Sequence, residues 1–410
     1  GNTNSARVNK IKWILNTLSP GGMSSLDSRL LSSWTNYYTM LPILYFLTYD
    51  PTVPAPVDPR ASMPVDYVSQ GNNRILSRTD WSTNASWFSF ISTWDSIDHQ
   101  WGDSNSFSFY RKGEWLSKEW SGYGKNISTP GYQNNLSLEN LPSGASMPSY
   151  VFDQGNLGGQ YSYVNDGDPT VVTSVQGTYA YAQGDVTKRY NTTAYQATGV
   201  LHASRSILYL KPDVVVVYDR ATSKSVNKYK RFFLNFATSP VITGNVATIN
   251  TTGGQKLFVS SVLPSTATLT WDMPTTTWGY NEVANNEPMK YRLKIEDTQN
   301  PQDIRFLNVL QGADGSALTP MPLQSIQSMS GSAYDGVTVG SVVVMFAKDL
   351  SQPFAGLTYT APTGTTLNYV TGLTPGASYS VNFMTGVTGT VVTVTAGGST
   401  VADSGGVIRF

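Results

Sequence analysis

Apolar positions change their period twice along the chain. Ile11, Trp13, Ile14, Leu15 and Leu18 fall close to helical spacing, and Pro20-Gly21-Gly22 ends that run. A second run, from Ser28 to about Tyr49, carries Leu30, Leu31, Trp34, Tyr37, Tyr38 and Leu41, with Pro42 expected to end or kink it. Residues 1–50 are therefore expected to form a helical segment, one too short to bury both faces alone. Pro51, Pro54, Pro56, Pro59 and Pro64 make residues 51–73 a stiff, extended linker. From residue 74 the period becomes two. Phe107 and Phe109 alternate with Ser106 and Ser108, and Tyr179 and Tyr181 alternate with small residues. Residues 207–210 and 214–218 are apolar runs split by Lys211-Pro212-Asp213, and strand-like runs recur at 257–263, 291–295, 306–310 and 342–347. That density of short strands predicts a large antiparallel β-sandwich over 74–350. Past Ser351 the text turns to Thr, Gly and Val. Residues 351–410 are expected to form a small C-terminal β-module, fibronectin-like or a terminal sheet of the same sandwich. No repeat of solenoid or propeller length is present.

Composition narrows the function classes. Across 410 residues, 27 Lys+Arg balance 27 Asp+Glu, so the basic footprint of a nucleic-acid binder is missing. Charged residues make up 13%, against the usual share of roughly 25%, while 40% hydrophobic and 12% aromatic residues supply enough surface for packed cores. No cysteine is present, which excludes disulfides, thiolate metal sites and cysteine nucleophiles. The longest apolar stretches have strand length, so no membrane span is expected. Low charge with abundant hydroxyl and amide side chains leans toward an extracellular or cell-surface protein. No signal peptide is visible, and Gly1 in place of Met points to processing, truncation or engineering.

Candidate chemistry is sparse. With only His99 and His202, a histidine-rich metal site within the chain is close to excluded, and no cofactor motif is present. Asp153, Asp166 and Asp168 could face a hard cation, although a solvated turn explains them as well. The informative stretch runs from Arg78 to Tyr123. There His99 sits in a polar loop between aromatic segments, flanked by Asp98 and Asp103, and a carboxylate so placed can orient an imidazole and raise its basicity.

These residues resemble the C-terminal sandwich of the heparinase II/III-like polysaccharide lyases. The resemblance covers roughly residues 28–345. It rests on Arg78 and Trp81; His99, Gln100, Asp103 and Phe107; Gly113, Trp115 and Leu116; Gly122-Tyr123-Gly124; Asn134 and Leu136; and Arg205 with Tyr218-Asp219-Arg220. It implies a supersandwich of the lyase type and β-elimination on a uronate-containing polysaccharide. In that reaction a base removes the C5 proton, an acid protonates the leaving O4 oxygen, and the uronate carboxylate is neutralised. His99, Tyr123 and Arg78 are then the expected catalytic residues. Trp101, Trp120, Gln133, Asn134 and Asp103 are the expected substrate-binding residues, with indole faces able to stack on sugar rings. The departures matter too. Trp101, Trp120 and Gln133 stand where relatives carry histidine, so any zinc site built from those positions is gone. The family's N-terminal α/α toroid is reduced to residues 1–50 at most.

Two readings follow. The chain is the sandwich half of a lyase whose toroid was removed or lies on another chain. Alternatively, it is a non-catalytic protein in which a lyase-type sandwich was recruited for assembly or glycan adhesion, as a homo-oligomer or polymer. The first needs His99 on an open groove; the second needs self-association.

Overall fold

The computed structural model describes residues 5–18, 21–22, 24–25, 28, 57–94, 102–120, 130–274, 287–329 and 333–410. The chain divides into two compact units, Gly1–Pro64 and Val65–Phe410. In the first, helix α1 (Ser5–Leu18) leaves Ile11, Ile14 and Leu18 exposed. The guanidinium of Arg60 lies 5.1 Å from the Trp13 ring centroid and pairs with Asp58 at 2.6 Å. Of the second run of the expected helical segment, only Ser28 lies among the described residues.

The second unit is almost wholly β. Its described strands form five sheets, stacked as layers. The first sheet is a meander of β1 (Asp66–Ser69), β2 (Arg74–Arg78), β3 (Ser86–Ile91), β4 (Ser106–Arg111) and β5 (Glu114–Ser117). Lys112 and Gly113 both adopt left-handed φ, at 46° and 92°, which suits the two-residue hairpin joining β4 to β5. One short helix, α2 (Ser149–Asn156), stands between β6 (Leu136–Leu138) and β7 (Thr170–Gln176).

An eight-stranded sheet forms the middle of the stack. Its order is β12 (Val241–Thr243), β13 (Val246–Asn250), β14 (Gln255–Leu263), β17 (Asp303–Asp314), β10 (Val214–Ser223), β9 (Val200–Leu210), β8 (Tyr179–Asp185) and β7. A four-stranded sheet orders β15 (Thr268–Asp272), β16 (Tyr291–Glu296), β11 (Lys230–Phe236) and β6. The long sheet is buried on both faces, which explains the unbroken valines of β10. Val215 and Val217 join Phe88, Phe109, Phe232 and Leu293 in one core, against the first and four-stranded sheets. Val216 and Tyr218 join Val344, Phe346 and Tyr369 in a second core on the opposite face.

That second core is closed by a sheet of β18 (Leu323–Gln327), β19 (Tyr334–Val339), β20 (Val342–Ala347), β22 (Leu367–Val370) and β26 (Ile408–Arg409). Strands from both sides of residue 350 thus share one sheet, and β20 and β22 run parallel. An outer sheet of β21 (Leu357–Pro362), β24 (Gly389–Ala396), β23 (Ser378–Thr385) and β25 (Thr400–Val401) packs on its far face through Tyr359, Val392 and Val394. The fold is the mainly β, predominantly antiparallel sandwich that the period-two text predicts.

One buried ion pair ties the layers together. Arg205 and Asp219 stand opposite each other on β9 and β10, joined at 2.7 and 2.9 Å and almost wholly buried. The remaining guanidinium nitrogen donates to the carbonyls of Asn105 and Asn134, each at 2.6 Å. The loops that carry candidate chemistry are therefore pinned from inside the core.

Candidate functional site

The outer face of the first sheet is set by strand register. Ile75, Phe88, Phe90, Phe107 and Phe109 point inward to the core. The alternate positions Arg78, Trp87, Tyr110 and Trp115 are directly paired across β2, β3, β4 and β5 and are half-buried. At a strand spacing of roughly 4.8 Å, this row extends about 14 Å. Trp87 and Tyr110 lie 5.6 Å apart, Tyr110 and Trp115 5.3 Å, and Trp87 and Trp115 4.9 Å, the last two edge-on. At the other end of the row Arg78 stacks on Trp81 at 4.1 Å and donates from Nε to the Asp80 carbonyl at 2.6 Å.

Beyond Trp115 lies a buried polar centre. Lys118 Nζ lies 5.9 Å from the Trp115 ring centroid, 3.0 Å from Glu287 and 2.6 Å from the Glu119 carbonyl. The Glu287 carboxylate also accepts from the Met289 N–H at 2.9 Å. One acidic side chain, that of Glu287, thus pairs with this lysine, and Glu119 reaches it through its main-chain carbonyl. Burial pushes the Glu119 carboxyl above its ordinary range; a hydrogen bond with Ser106 and the charges of Arg74 and Lys118 oppose the shift. Glu119 Oε2 and Trp120 Nε1 are buried with no hydrogen-bond partner among the described residues. A carboxyl held in this way can keep or release a proton at a pH where an exposed one is always ionised.

The residues singled out from sequence distribute unevenly. His99, Trp101 and Tyr123 lie outside the described residues. Arg78 ends the aromatic row. Asp103 is buried in the turn entering β4, its carbonyl accepting from Ser106 N at 2.8 Å. Trp120 is 6% exposed and packs edge-on against Tyr132 at 4.9 Å, beside Met289, so it is a core side chain and offers no open stacking face. Gln133 is likewise buried, and its carbonyl accepts from Asn235 Nδ2 at 3.3 Å.

Asn134 is fully buried with its amide saturated. Its Nδ2 donates to the Phe107 carbonyl and Ser117 Oγ, and its Oδ1 accepts from Asn235 N and Nδ2. No side-chain group of Asn134 is left for a ligand; it fastens β4 and β5 to β11. Among the described residues no cluster of three acidic or histidine side chains could hold a metal ion, and Asp166 caps the turn at Thr193. His202 bonds Ser204 Oγ at 2.8 Å on the long sheet. No helix among the described residues is long and apolar enough to cross a membrane.

Sequence reading missed Lys118, Glu119 and Glu287. The first two follow Trp115-Leu116 and carry no motif, and Glu287 arrives about 170 residues later by a tertiary contact. The signal that could have flagged them is a Lys-Glu pair directly following a strand of an otherwise charge-poor chain.

No protein-family model and no curated protein matches the chain. Solved structures do. A mutant of the heparan sulfate lyase HepC from Pedobacter heparinus aligns with a TM-score of 0.50 and 13% identity, over 75% of this chain and 45% of that one. A heparinase III structure aligns with a TM-score of 0.50 and 13% identity, over 75% and 46% of the two chains. Over that three-quarters of this chain, the fold is that of the aligned part of the heparinase structures. This chain spans less than half the length of either heparinase structure. At such identity the heparinase likeness fixes the architecture, while the role of each residue rests on the geometry above.

Proposed function

We propose that the chain binds a uronate-containing polysaccharide along the outer face of the first sheet, as the sandwich part of a β-eliminating lyase acting outside the cell. The observation that carries this reading is the row Arg78–Trp87–Tyr110–Trp115 on a heparinase III-type sandwich. Half-buried aromatic faces suit the apolar faces of sugar rings, and a guanidinium at the row's end suits a uronate carboxylate. In the elimination, His99 and Tyr123 would divide the removal of the C5 proton and the protonation of O4, and Arg78 would hold the carboxylate as charge builds on it. One of the similar structures is a heparan sulfate lyase, which makes heparan sulfate the first polymer to assay.

A second reading, adhesion without turnover, is favoured by Trp120. It fills with packed indole a position at which relatives carry histidine. Both readings are tested on this chain by affinity electrophoresis against acidic and neutral polysaccharides, together with an assay for unsaturated uronate products. Retardation by acidic polymers alone, weakened in Trp87→Ala and Trp115→Ala, supports binding; no retardation by any acidic polymer refutes it. Product formation abolished in His99→Ala supports turnover, and binding with no product leaves adhesion.

A further inference from the structure

A polar cleft of about 280 Å³ lies away from the aromatic row, where three connections of the sandwich converge. Glu139, Asn140 and Leu141 follow β6, residues 196–199 precede β9, and Lys224, Ser225 and Lys228 belong to the β10–β11 loop. Its frame is rigid. Asn140 Nδ2 donates to the carbonyls of Tyr190 and Ala197 and to Asn191 Oδ1, while its own Oδ1 accepts from Gly199 N. The charges on the cleft do not cancel. Lys228 is committed to Glu139 at 2.9 Å, and the Tyr229 N–H reaches the same carboxylate at 3.1 Å. Burial raises the Glu139 carboxyl, but these bonds, with the charges of Lys228 and Arg231, outweigh burial and hold it below its ordinary range, so it is ionised. Lys224 is exposed, donates to Thr198 Oγ1 at 3.1 Å, and has no carboxylate partner among the described residues. One positive charge is left over, beside hydroxyl and amide groups and the 44%-exposed Leu141.

We infer that this cleft is a second carbohydrate subsite that takes a uronic acid residue, its carboxylate on Lys224 and its ring against Leu141. The volume lies just under the roughly 300–1,000 Å³ of small-ligand pockets, a size for one sugar residue and not a long chain. The surplus ammonium selects an anion, and the neighbouring hydroxyls and Gln196 can exchange hydrogen bonds with sugar hydroxyls. The choice of ligand rests on the acidic-polysaccharide reading; the site itself does not.

The test is hydrogen exchange read by mass spectrometry, with calorimetry. The probe is an unsulfated oligosaccharide of alternating glucuronate and N-acetylglucosamine, and its carboxyl-reduced counterpart is the control. Protection of segments 196–199 and 224–228 by the acidic probe alone is expected. Affinity at the cleft should fall roughly tenfold or more in Lys224→Gln and be kept in Lys224→Arg, and protection there should persist in Trp115→Ala. If the probe protects the first sheet and leaves the cleft unprotected, this inference falls and the aromatic row stands. If the cleft alone is protected, the inference stands and the aromatic row falls. Protection in neither place, or equal protection by the reduced probe, overturns the inference.

Discussion

Two buried charge sites in one sandwich are built to different standards. At Arg205–Asp219 every charged group has its partners: the carboxylate faces the guanidinium in a fork, and the spare nitrogen reaches two carbonyls. At Lys118, one ammonium serves Glu287 while Glu119 lies beside it with an oxygen that has no partner among the described residues. Burial pushes up the carboxyls of both Glu119 and Asp219, but only Asp219 is held by a guanidinium. A buried pair with every atom partnered specifies packing; a buried carboxyl with an oxygen left over can hold a proton. The first sits mid-sheet between two cores, and the second at the end of β5 where the aromatic row stops. The difference separates architecture from candidate chemistry without appeal to any relative.

The largest effect should come from breaking the satisfied site. Asp219→Asn leaves Arg205 charged and buried, and Arg205→Met leaves the buried Asp219 carboxyl without its guanidinium. Each is expected to cost about 3–5 kcal/mol of unfolding free energy in urea titrations. A loss below 1 kcal/mol from both would remove the contrast.

Next is Lys118→Met, which takes the ammonium from the buried Glu287 carboxylate and the Glu119 carbonyl and should destabilise the fold near pH 7 by about 1–3 kcal/mol. Glu119→Gln should behave oppositely. An acid whose folded pKa lies above its unfolded value binds more protons when folded, so its ionisation lowers stability as pH rises through that window. The neutral amide avoids this, and its melting temperature near pH 7 should equal or exceed that of the parent, with the advantage vanishing in acid. A lower melting temperature at every pH would show that the Glu119 carboxylate is needed ionised.

His202 provides the smallest effect. Burial depresses its pKa, opposed by Asp185 and reinforced by Arg220 and Arg305. The unfolded chain therefore binds its proton first, and stability is lost as pH falls from the ordinary value of 6.5 through the depressed folded one. His202→Gln should flatten that part of the melting profile. An unchanged profile would assign the acid sensitivity elsewhere.

The legible part of the fold is the part written as local period. Alternation at Ser106–Phe109 and the doubly apolar run of β10 are backbone-scale signals, and a strand between two cores must bear apolar side chains on both faces. Aromatic density between Arg78 and Tyr123 drew attention to the first sheet, the proposed binding face. It could not tell Trp115, on the half-buried face, from Trp120, packed on Tyr132 and Met289, because both are indoles in similar text. Nor could it separate Asn134 as a ligand from Asn134 as a rivet, since the same amide serves either end.

The sequence by itself determined a charge-poor, cysteine-free chain of short strands resembling the lyase sandwich, with chemistry confined to a few segments. Tertiary structure alone decided which polar groups meet. Lys118 and Glu287 are brought together where the first sheet adjoins the sheet of β6, β11, β15 and β16, and the Lys224 cleft by three loops that share no local pattern. The physical reason is that strand periodicity is a property of neighbours along the chain. Charge balance in a buried site depends on residues more than a hundred positions apart, set by how whole sheets pack.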